Sequence, residues 1–298
     1  MRSPSEQHAA RRLLAVHAHP DDESSKGSAT YAHYRALGDE VLVVSCTGGE
    51  QGSILNEHLV PRARAERDIA GLRFDEMAAA QAVMDIDHVW LGYHDSGLPA
   101  EGEPVAVNSF STIPLAISAE PLVRIIRRFK PQVLVTYDEN GGYPHPDHIR
   151  THEISMYAAE AAADPARYPD AGPAWEIAKI YYDRIMNASR MNAIKAQLEL
   201  EEPDSEALLK MKDMMQRFEE RPDPSTSRVD VSDSFAIRDR ALLSHASQVA
   251  PDSFFFLWSI DLQARAWPTE DFQLVKATVE TSLPETDLFA GISESSES

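Results

Sequence analysis

The chain has 298 residues, of which 43% are hydrophobic and 26% charged, a composition typical of a globular protein. Its formal net charge of −20 disfavours nucleic acid and anionic membrane surfaces as partners. The single cysteine, Cys46, excludes an internal disulfide and a four-thiolate metal site. Because the sequence shows neither a signal-peptide pattern nor a run of roughly 18 apolar residues, we expect a cytoplasmic protein with no membrane span.

Short apolar runs alternate with helical patterns through the first half of the chain. The pattern predicts strands at 13–16, 41–45, 89–91, 132–137 and 180–185, and helices at 26–37, 61–84, 119–129 and 148–162. Continuous, β-branched runs of this length are typical of strands buried on both faces of a sheet. The sequence therefore predicts an α/β fold with a Rossmann-like, doubly wound and mostly parallel sheet.

The pattern changes after residue 185. Residues 189–220 are rich in Met and Glu at helical spacing, and a strand at 227–231 and a helix at 235–248 follow a polar break. We therefore predict an α/β core at 1–185, a C-terminal cap packed on that core at 186–290, and a disordered tail at 291–298.

A first polar cluster follows the first predicted strand, in the sequence HAHPDDE. A dinucleotide-binding domain would place a glycine-rich turn there, and none is present. So many carboxylates at the mouth of a sheet repel one another unless a cation neutralises them. His19 and Asp22, three residues apart across a proline-led turn, can both point at one metal ion, which leaves Asp21 to face a water molecule. The alternative is that the acids cap the following helix. Alternation along the strand points His17 away from His19, which predicts a structural histidine.

A second polar cluster follows the fourth predicted strand. A Gly-Gly turn and two prolines stiffen a segment that carries Tyr143, His145, Asp147 and His148. One histidine can complete a His–Asp–His metal site, and the other can act as an acid or an oxyanion donor. The segment alone also fits a proline-rich turn before a helix. Two such clusters at the carboxyl end of one parallel sheet, however, predict a shared site.

The two motifs His19-Pro20-Asp21-Asp22-Glu23 and His145-Pro146-Asp147-His148 together resemble those of the LmbE/PIG-L zinc deacetylases. The resemblance implies that one zinc ion per chain is held by three residues, namely His19, Asp22 and His148. Ferrous iron can use the same kind of ligand set.

The resemblance also implies the catalytic roles. Asp21 is expected to be the general base that activates the attacking water. His145, tuned by Asp147, would stabilise the oxyanion or protonate the leaving amine, and Tyr143 would polarise the scissile carbonyl.

Within the family, the stretches HAHPDDESSKG, TGGEQG, DENGGYPHPDHIR and PETDLFAGI resemble the branch that cleaves mycothiol S-conjugates. This implies hydrolysis of the amide between an N-acylcysteine S-conjugate and glucosaminyl-inositol, with a mercapturic acid as one product. The partner would then be a small thiol–sugar conjugate. The alternative is the deacetylation of N-acetylglucosaminyl-inositol in mycothiol biosynthesis. A non-catalytic sugar-binding protein is disfavoured because a binder has no need of a water-activating base.

Three residues match family positions at the substrate, namely Lys26, Arg73 and Asp95. Arg73 has an alternative role in a surface ion pair with Glu76, and Lys26 has one as a solvated lysine in a first helical turn. The Met- and acid-rich segment 186–226 does not align with the family branch. We expect this segment to wall the pocket for the variable thiol-linked group.

Overall fold

The structure is a computed structural model that describes residues 11–60, 62–100, 102–215 and 223–293. Its strands are β1 (Arg12–His17), β2 (Glu40–Thr47), β3 (Asp87–Tyr93), β4 (Val133–Thr136), β5 (Lys179–Asp183), β6 (Ser227–Asp230) and β7 (Thr269–Ala277). Its α-helices are α1 (Asp22–Ser25), α2 (Ser28–Ala36), α3 (Arg62–Arg67), α4 (Ile69–Met84), α5 (Leu115–Ser118), α6 (Glu120–Phe129), α7 (Pro146–Ala163), α8 (Ala188–Glu201), α9 (Glu206–Met215), α10 (Phe235–Ser244) and α11 (Ile260–Ala266).

The strands form one seven-stranded sheet in the order β3-β2-β1-β4-β5-β7-β6. The first five strands pair in parallel, and β7 pairs antiparallel with β5 and with β6. The chain runs outward from β1 through β2 to β3, then returns to the other side of β1 as β4. This reversal creates a topological switch point between β1 and β4, where ligands bind in open α/β sheets. The predicted fold class is confirmed.

Helices cover both faces of the sheet. Along β1, Leu13 and Ala15 pack into a cluster with α2, α4 and α10, whereas Leu14 and Val16 pack into a second cluster with α6 and α7. Neighbouring side chains point to opposite faces of a strand, so a strand buried on both sides must be apolar at every position. The continuous apolar runs of the sequence have this origin.

The C-terminal region contains a feature that the predicted cap does not include, because β6 and β7 extend the sheet itself. Helices α8 and α9 instead form a small cluster of their own with Leu262 of α11. Of the predicted tail, residues 294–298 lie outside the described range, and Ile292 packs against the cluster around α2.

Two predicted helices are interrupted in the structure. The helix predicted at 26–37 begins at Ser28, after the separate short helix α1 and the turn at Gly27. The helix predicted at 61–84 is divided at Asp68, whose side chain accepts a hydrogen bond from Gly71 N and caps α4. No α-helix in the described ranges is long and apolar enough to cross a membrane. The cytoplasmic location stays a prediction.

Candidate metal centre

The two polar clusters of the sequence meet at the switch point of the sheet. Helix α1 begins at Asp22, five residues after β1 ends at His17, and α7 begins at Pro146 in the segment that follows β4. Because β1 and β4 are neighbours in the sheet, their carboxyl ends bring these helix starts together. The site is thus assembled from two segments that lie more than a hundred residues apart in the chain.

His19, Asp22 and His148 form a buried group in which one potential ligand atom from each residue lies within 4.8 Å of the others. Asp22 Oδ2 is 3.3 Å from His148 Nε2 and 3.6 Å from His19 Nδ1. Asp22 also accepts a hydrogen bond from His19 N at 3.0 Å, which holds the turn between these two residues. Two imidazole nitrogens and a carboxylate oxygen therefore converge on one point.

The orientation of His148 leaves one ring nitrogen available to a metal. Its Nδ1 lies 3.0 Å from the carbonyl oxygen of Gly141, and a carbonyl can only accept, so the proton is assigned to Nδ1. Its Nε2 is buried and makes no hydrogen bond within the described part of the chain. Gly141 permits this approach because its φ is +71° and an added Cβ would lie 2.5 Å from His148 Cβ.

His19 is oriented by carboxylates on its far side. Its Nε2 lies 3.2 Å from Asp147 Oδ2 and 3.7 Å from Asp95 Oδ1. Although burial opposes it, the bonds to Asp147, Asp22 and Asp95 raise the pKa of His19 well above its usual value. A carboxylate bonded to the outer nitrogen of a ligand histidine fixes its tautomer and increases its basicity. With Nε2 bonded to Asp147, Nδ1 is the nitrogen that faces Asp22.

These residues fit a divalent metal ion. The unpaired Nε2 of buried His148 faces Asp22, whose pKa the charge of Lys26 helps to hold well below the usual range despite burial. Nitrogen and carboxylate donors of this kind suit zinc and leave a fourth tetrahedral position to water or substrate. A second group, His19, His145 and Asp147, also brings ligand atoms within 4.8 Å, but it uses the nitrogen of His19 that Asp147 already engages.

Asp21 lies beside the proposed ligands without capping the helix. It occupies the N-cap position of α1, yet its side chain makes no capping hydrogen bond, so the alternative role of a helix cap does not hold for it. Its Oδ2 is 3.3 Å from Arg73 Nη2, and the side chain is 26% exposed. Burial raises the pKa of Asp21, an effect that the charge of Arg73 opposes. A partly exposed carboxylate with a raised pKa is suited to accept a proton.

His145 and Tyr143 stand on the other side of the group. His145 Nδ1 accepts a hydrogen bond from the backbone N–H of Asp147 at 3.1 Å, so the neutral ring carries its proton on Nε2. Burial, and then the charge of His19, lower the pKa of His145 to about 4. Tyr143 is 45% exposed, and the centroid of its ring lies 4.4 Å from the ring centroid of His148.

The carboxylate of Asp147 contacts a different histidine from the one that the sequence analysis assigns to it. Asp147 Oδ2 bonds to His19 and accepts from Ser96 N at 2.9 Å. Its hydrogen bond to His145 comes from the backbone N–H. The tautomer of His145 is therefore fixed by a backbone N–H at the start of helix α7 and not by a side-chain carboxylate.

The three predicted substrate-binding residues point inward, where they support the site. Arg73 is 3% exposed and donates to Gly49 O at 2.8 Å and to Pro20 O at 2.5 Å. Asp95 is also 3% exposed and accepts from Gln51 N and Gly97 N. Lys26 forms an ion pair with Asp22. Their roles toward a substrate stay predictions.

A buried ion pair beneath Asp21 was not predicted from the sequence. Glu23 and His245 have fully buried side chains, and Glu23 Oε1 lies 2.7 Å from His245 Nε2. Glu23 belongs to the first polar cluster, but no sequence signal connects it to a histidine at the end of α10. His17, in contrast, bonds to the hydroxyls of Tyr31 and Tyr137, which confirms its structural role.

An apolar pocket adjoins the site at the end of α1. Ser25 contributes to its wall, and Ser25 Oγ lies 3.4 Å from Lys26 Nζ. The rest of the lining comes mainly from the C-terminal region and includes Met186, Met191, Phe254, Phe255 and Trp258. Met186 and Phe254 are also exposed large side chains, so the pocket has an apolar rim. Met186 and Met191, at the start of the segment 186–226, therefore line this pocket, and its role toward a substrate stays a prediction.

A parallel sheet that carries a His–Asp–His group and a further carboxylate at its switch point has the architecture of a metal-dependent hydrolase. The family profile described as PIG-L, GlcNAc-PI de-N-acetylase, matches residues 14–159. The mycothiol S-conjugate amidase of Streptomyces coelicolor is 48% identical over 94% of this chain and 97% of its own length. The chain belongs to the PIG-L family, and it is an enzyme that hydrolyses an amide bond.

Two further relatives span nearly the whole chain. The 1D-myo-inositol 2-acetamido-2-deoxy-alpha-D-glucopyranoside deacetylase of Geodermatophilus obscurus is 39% identical over 95% of this chain and 98% of its own. The solved structure of N,N'-diacetylchitobiose deacetylase from Pyrococcus horikoshii aligns over 89% of this chain and 84% of its own. Its TM-score is 0.59 at 18% identity, which is a likeness of fold alone.

Proposed function

We propose that this chain is a zinc-dependent amidase that cleaves mycothiol S-conjugates. The observation that carries the proposal is the buried group His19, Asp22 and His148 beside the uncapped carboxylate of Asp21. Zinc held by these three residues would supply Lewis acidity and lower the pKa of bound water to roughly 7. The residues of the chain account for the remaining steps.

Asp21 is placed to take the proton of the attacking water. Its carboxylate is partly open to solvent, and burial raises its pKa, which makes it a stronger base than a free aspartate. The guanidinium of Arg73, at 3.3 Å, opposes this rise in pKa. Removal of a general base typically costs about 10²–10⁴-fold in rate.

His145 and Tyr143 are the donors for the oxyanion that develops on the scissile carbonyl. Neutral His145 carries its proton on Nε2, because Nδ1 accepts from Asp147 N. The exposed ring of Tyr143 leaves its hydroxyl accessible to a substrate. One such donor typically contributes about 3–4 kcal/mol to stabilisation of the transition state. After collapse of the tetrahedral intermediate, Asp21 returns its proton to the leaving amine.

The acyl side of the substrate distinguishes an amidase from a deacetylase. An S-conjugate carries a large and variable group next to the scissile amide, whereas the acetyl group of the alternative substrate is small. We place the larger group at the pocket beside Ser25, whose lining includes Trp258, Phe255 and the two arginines Arg190 and Arg238. Its volume is ≈ 20 Å³, so side chains of the lining must move to admit the group. The 48% identity to the Streptomyces coelicolor amidase supports the choice of an amidase. The products would be a mercapturic acid and glucosaminyl-inositol.

Deacetylation of N-acetylglucosaminyl-inositol is the second candidate. It needs the same metal ligands and the same base, and the Geodermatophilus obscurus relative carries the name of that activity. The two substrates share the sugar and inositol and differ in the acyl group.

A competition assay tests the proposal. Chelator-stripped protein is reloaded with zinc and offered a mycothiol–bimane conjugate together with N-acetylglucosaminyl-inositol. We expect a higher kcat/KM for release of the acylcysteine–bimane. Equal or faster release of acetate would transfer the assignment to the deacetylase. An Asp21→Asn variant that still binds the conjugate but does not hydrolyse it would exclude a pure binding role.

A further inference from the structure

The backbone of Asp21 has a conformation that needs external support. Its φ is +115° and its ψ is −24°, in the left-handed region that residues other than glycine rarely adopt. Such a conformation persists only where the surrounding structure holds it, and it is commonly found at functional sites. The question is which contacts hold the proposed base in this position.

The N–H of Asp21 donates to Glu23 Oε2 at 2.9 Å. On the other side, the carbonyl oxygen of Asp21 accepts from Ser24 N at 3.1 Å and from Ser25 N at 3.0 Å. The peptide groups on both sides of the Asp21 Cα are therefore bonded. The carbonyl bonds belong to the first turn of α1, but the N–H bond depends on where the Glu23 side chain is held.

Glu23 is held in turn by His245. The Oε1 atom of Glu23 lies 2.7 Å from His245 Nε2, and Ser24 Oγ donates to the same oxygen at 2.6 Å. Both side chains of the ion pair have no exposed surface. In such a water-free surrounding, a charge-assisted hydrogen bond is strong and no water can replace a lost partner.

His245 is itself rigidly placed. It follows the last residue of α10, and its N–H bonds to Leu242 O at 3.1 Å. Two residues later, Ser247 donates its N–H and its hydroxyl to the two carboxylate oxygens of Glu76, each at 2.7 Å. The imidazole thus comes from a segment that is anchored to α4 independently of the metal site.

We propose that His245 is a positioning residue for Asp21, which it acts upon through Glu23. The inference rests on the proposed function, in which Asp21 is the base. The C-terminal region would then take part in the reaction, because His245 fixes the direction of the Asp21 carboxylate through Glu23, 222 residues before His245 in the chain. It predicts that loss of the His245–Glu23 bond lowers kcat while substrate and zinc still bind.

Two polar substitutions of His245 test the link. A glutamine amide nitrogen reaches about the place of His Nε2, whereas the asparagine amide reaches only that of Nδ1. His245→Gln should keep the bond to Glu23 and retain most of kcat. His245→Asn should lose the bond and lower kcat about 10- to 100-fold, the usual effect of a misplaced catalytic group, with KM and zinc affinity unchanged.

Ser247→Ala is the matched control, since it removes only the hydroxyl bond to Glu76, keeps the backbone N–H bond that anchors the segment, and does not touch Glu23. It should lower the melting temperature but not kcat. Equal kcat values for the Gln and Asn variants, or an Asn variant no slower than Ser247→Ala, would overturn the proposal. So would a crystal structure of the Asn variant with φ of Asp21 and its bond to Glu23 unchanged.

If the Asn variant does not fold, Glu23→Leu tests the same link by removing the acceptor of the Asp21 N–H. An unchanged kcat would then overturn the proposal. Failure of the proposed function has a different signature, because the wild-type protein itself would not hydrolyse the conjugate.

Discussion

Asp147→Asn should weaken zinc binding although Asp147 is not among the proposed ligands. The Asp147 side chain is fully buried, and its Oδ2 accepts from His19 Nε2 at 3.2 Å and from Ser96 N at 2.9 Å. Asparagine has nearly the same shape and still offers one oxygen to these donors. The substitution therefore removes the negative charge behind His19 and leaves the packing in place.

The size of the effect follows from this single contact. Loss of a partner behind a ligand histidine typically lowers metal affinity about 10- to 100-fold. At about 1.4 kcal/mol for each factor of ten, this corresponds to about 1.4–2.8 kcal/mol. Competition with a fluorescent chelator at pH 7 would measure the zinc Kd of both proteins.

Asp164→Asn is the matched control for this experiment. Asp164 lies just after the other end of α7, where its exposed carboxylate accepts from Ala166 N at 2.8 Å. This variant should bind zinc like the wild type. A zinc Kd for Asp147→Asn equal to that of the control would refute the role given to Asp147.

Three further variants test the turn at Gly141, the pocket at Trp258 and the ion pair of Glu23. Gly141→Ala should weaken zinc binding in the same titration, because the new Cβ would lie 2.5 Å from His148 Cβ; unchanged affinity would contradict the turn geometry. Trp258→Ala should raise KM for the bimane conjugate and not for N-acetylglucosaminyl-inositol; a parallel loss on both substrates would remove the pocket from conjugate recognition. Glu23→Gln should lower stability most between pH 4.5 and 6.5, as measured by urea unfolding. The pKa of Glu23 is lowered from 4.5 to about 2, so its contribution to stability is complete above pH 4.5 and is lost as the pH falls from 4.5 to about 2. The pKa of His245 is raised above 6.5, so its contribution is complete below pH 6.5 and is lost as the pH rises through the raised pKa. A stability difference that does not change with pH would contradict this reasoning.

Strands β1, β2 and β4 are predictable because they are buried on both faces and hence mostly apolar along their length. Strand β7 escapes that rule. Its sequence, TEDFQLVKA, has two acids directly after the first residue, where the local pattern predicts exposed side chains. Glu270 is nevertheless only 2% exposed, and Asp271 is fully buried. Glu270 accepts from Thr30 N and Thr30 Oγ1, and Asp271 from Asn187 and Trp267. Partners up to 240 residues away cannot be read from the local pattern.

The site, like the sheet, has some residues whose position can be predicted from the sequence and others whose position cannot. The spacing of His19 and Asp22, and the position of both clusters after strands, predict a His–Asp–His site from local chemistry, whereas the choice of His148 over His145 comes from the family resemblance. The inward direction of Arg73 cannot be predicted, because it depends on the loop glycine Gly49, whose added Cβ would lie 2.3 Å from Arg73 Nη1. The support of Glu23 by His245 is equally beyond reach, since only the fold brings α10 against α1.

The most direct test of the central claim is a zinc titration of the chelator-stripped protein, with bound metal and hydrolysis of a mycothiol S-conjugate followed together. We expect no hydrolysis without metal, and a rate of hydrolysis that rises linearly with added zinc until one zinc is bound per chain. His148→Ala, which removes the imidazole whose unpaired Nε2 faces Asp22, should bind far more weakly. Hydrolysis by the stripped protein, or full zinc binding by that variant, would contradict the account.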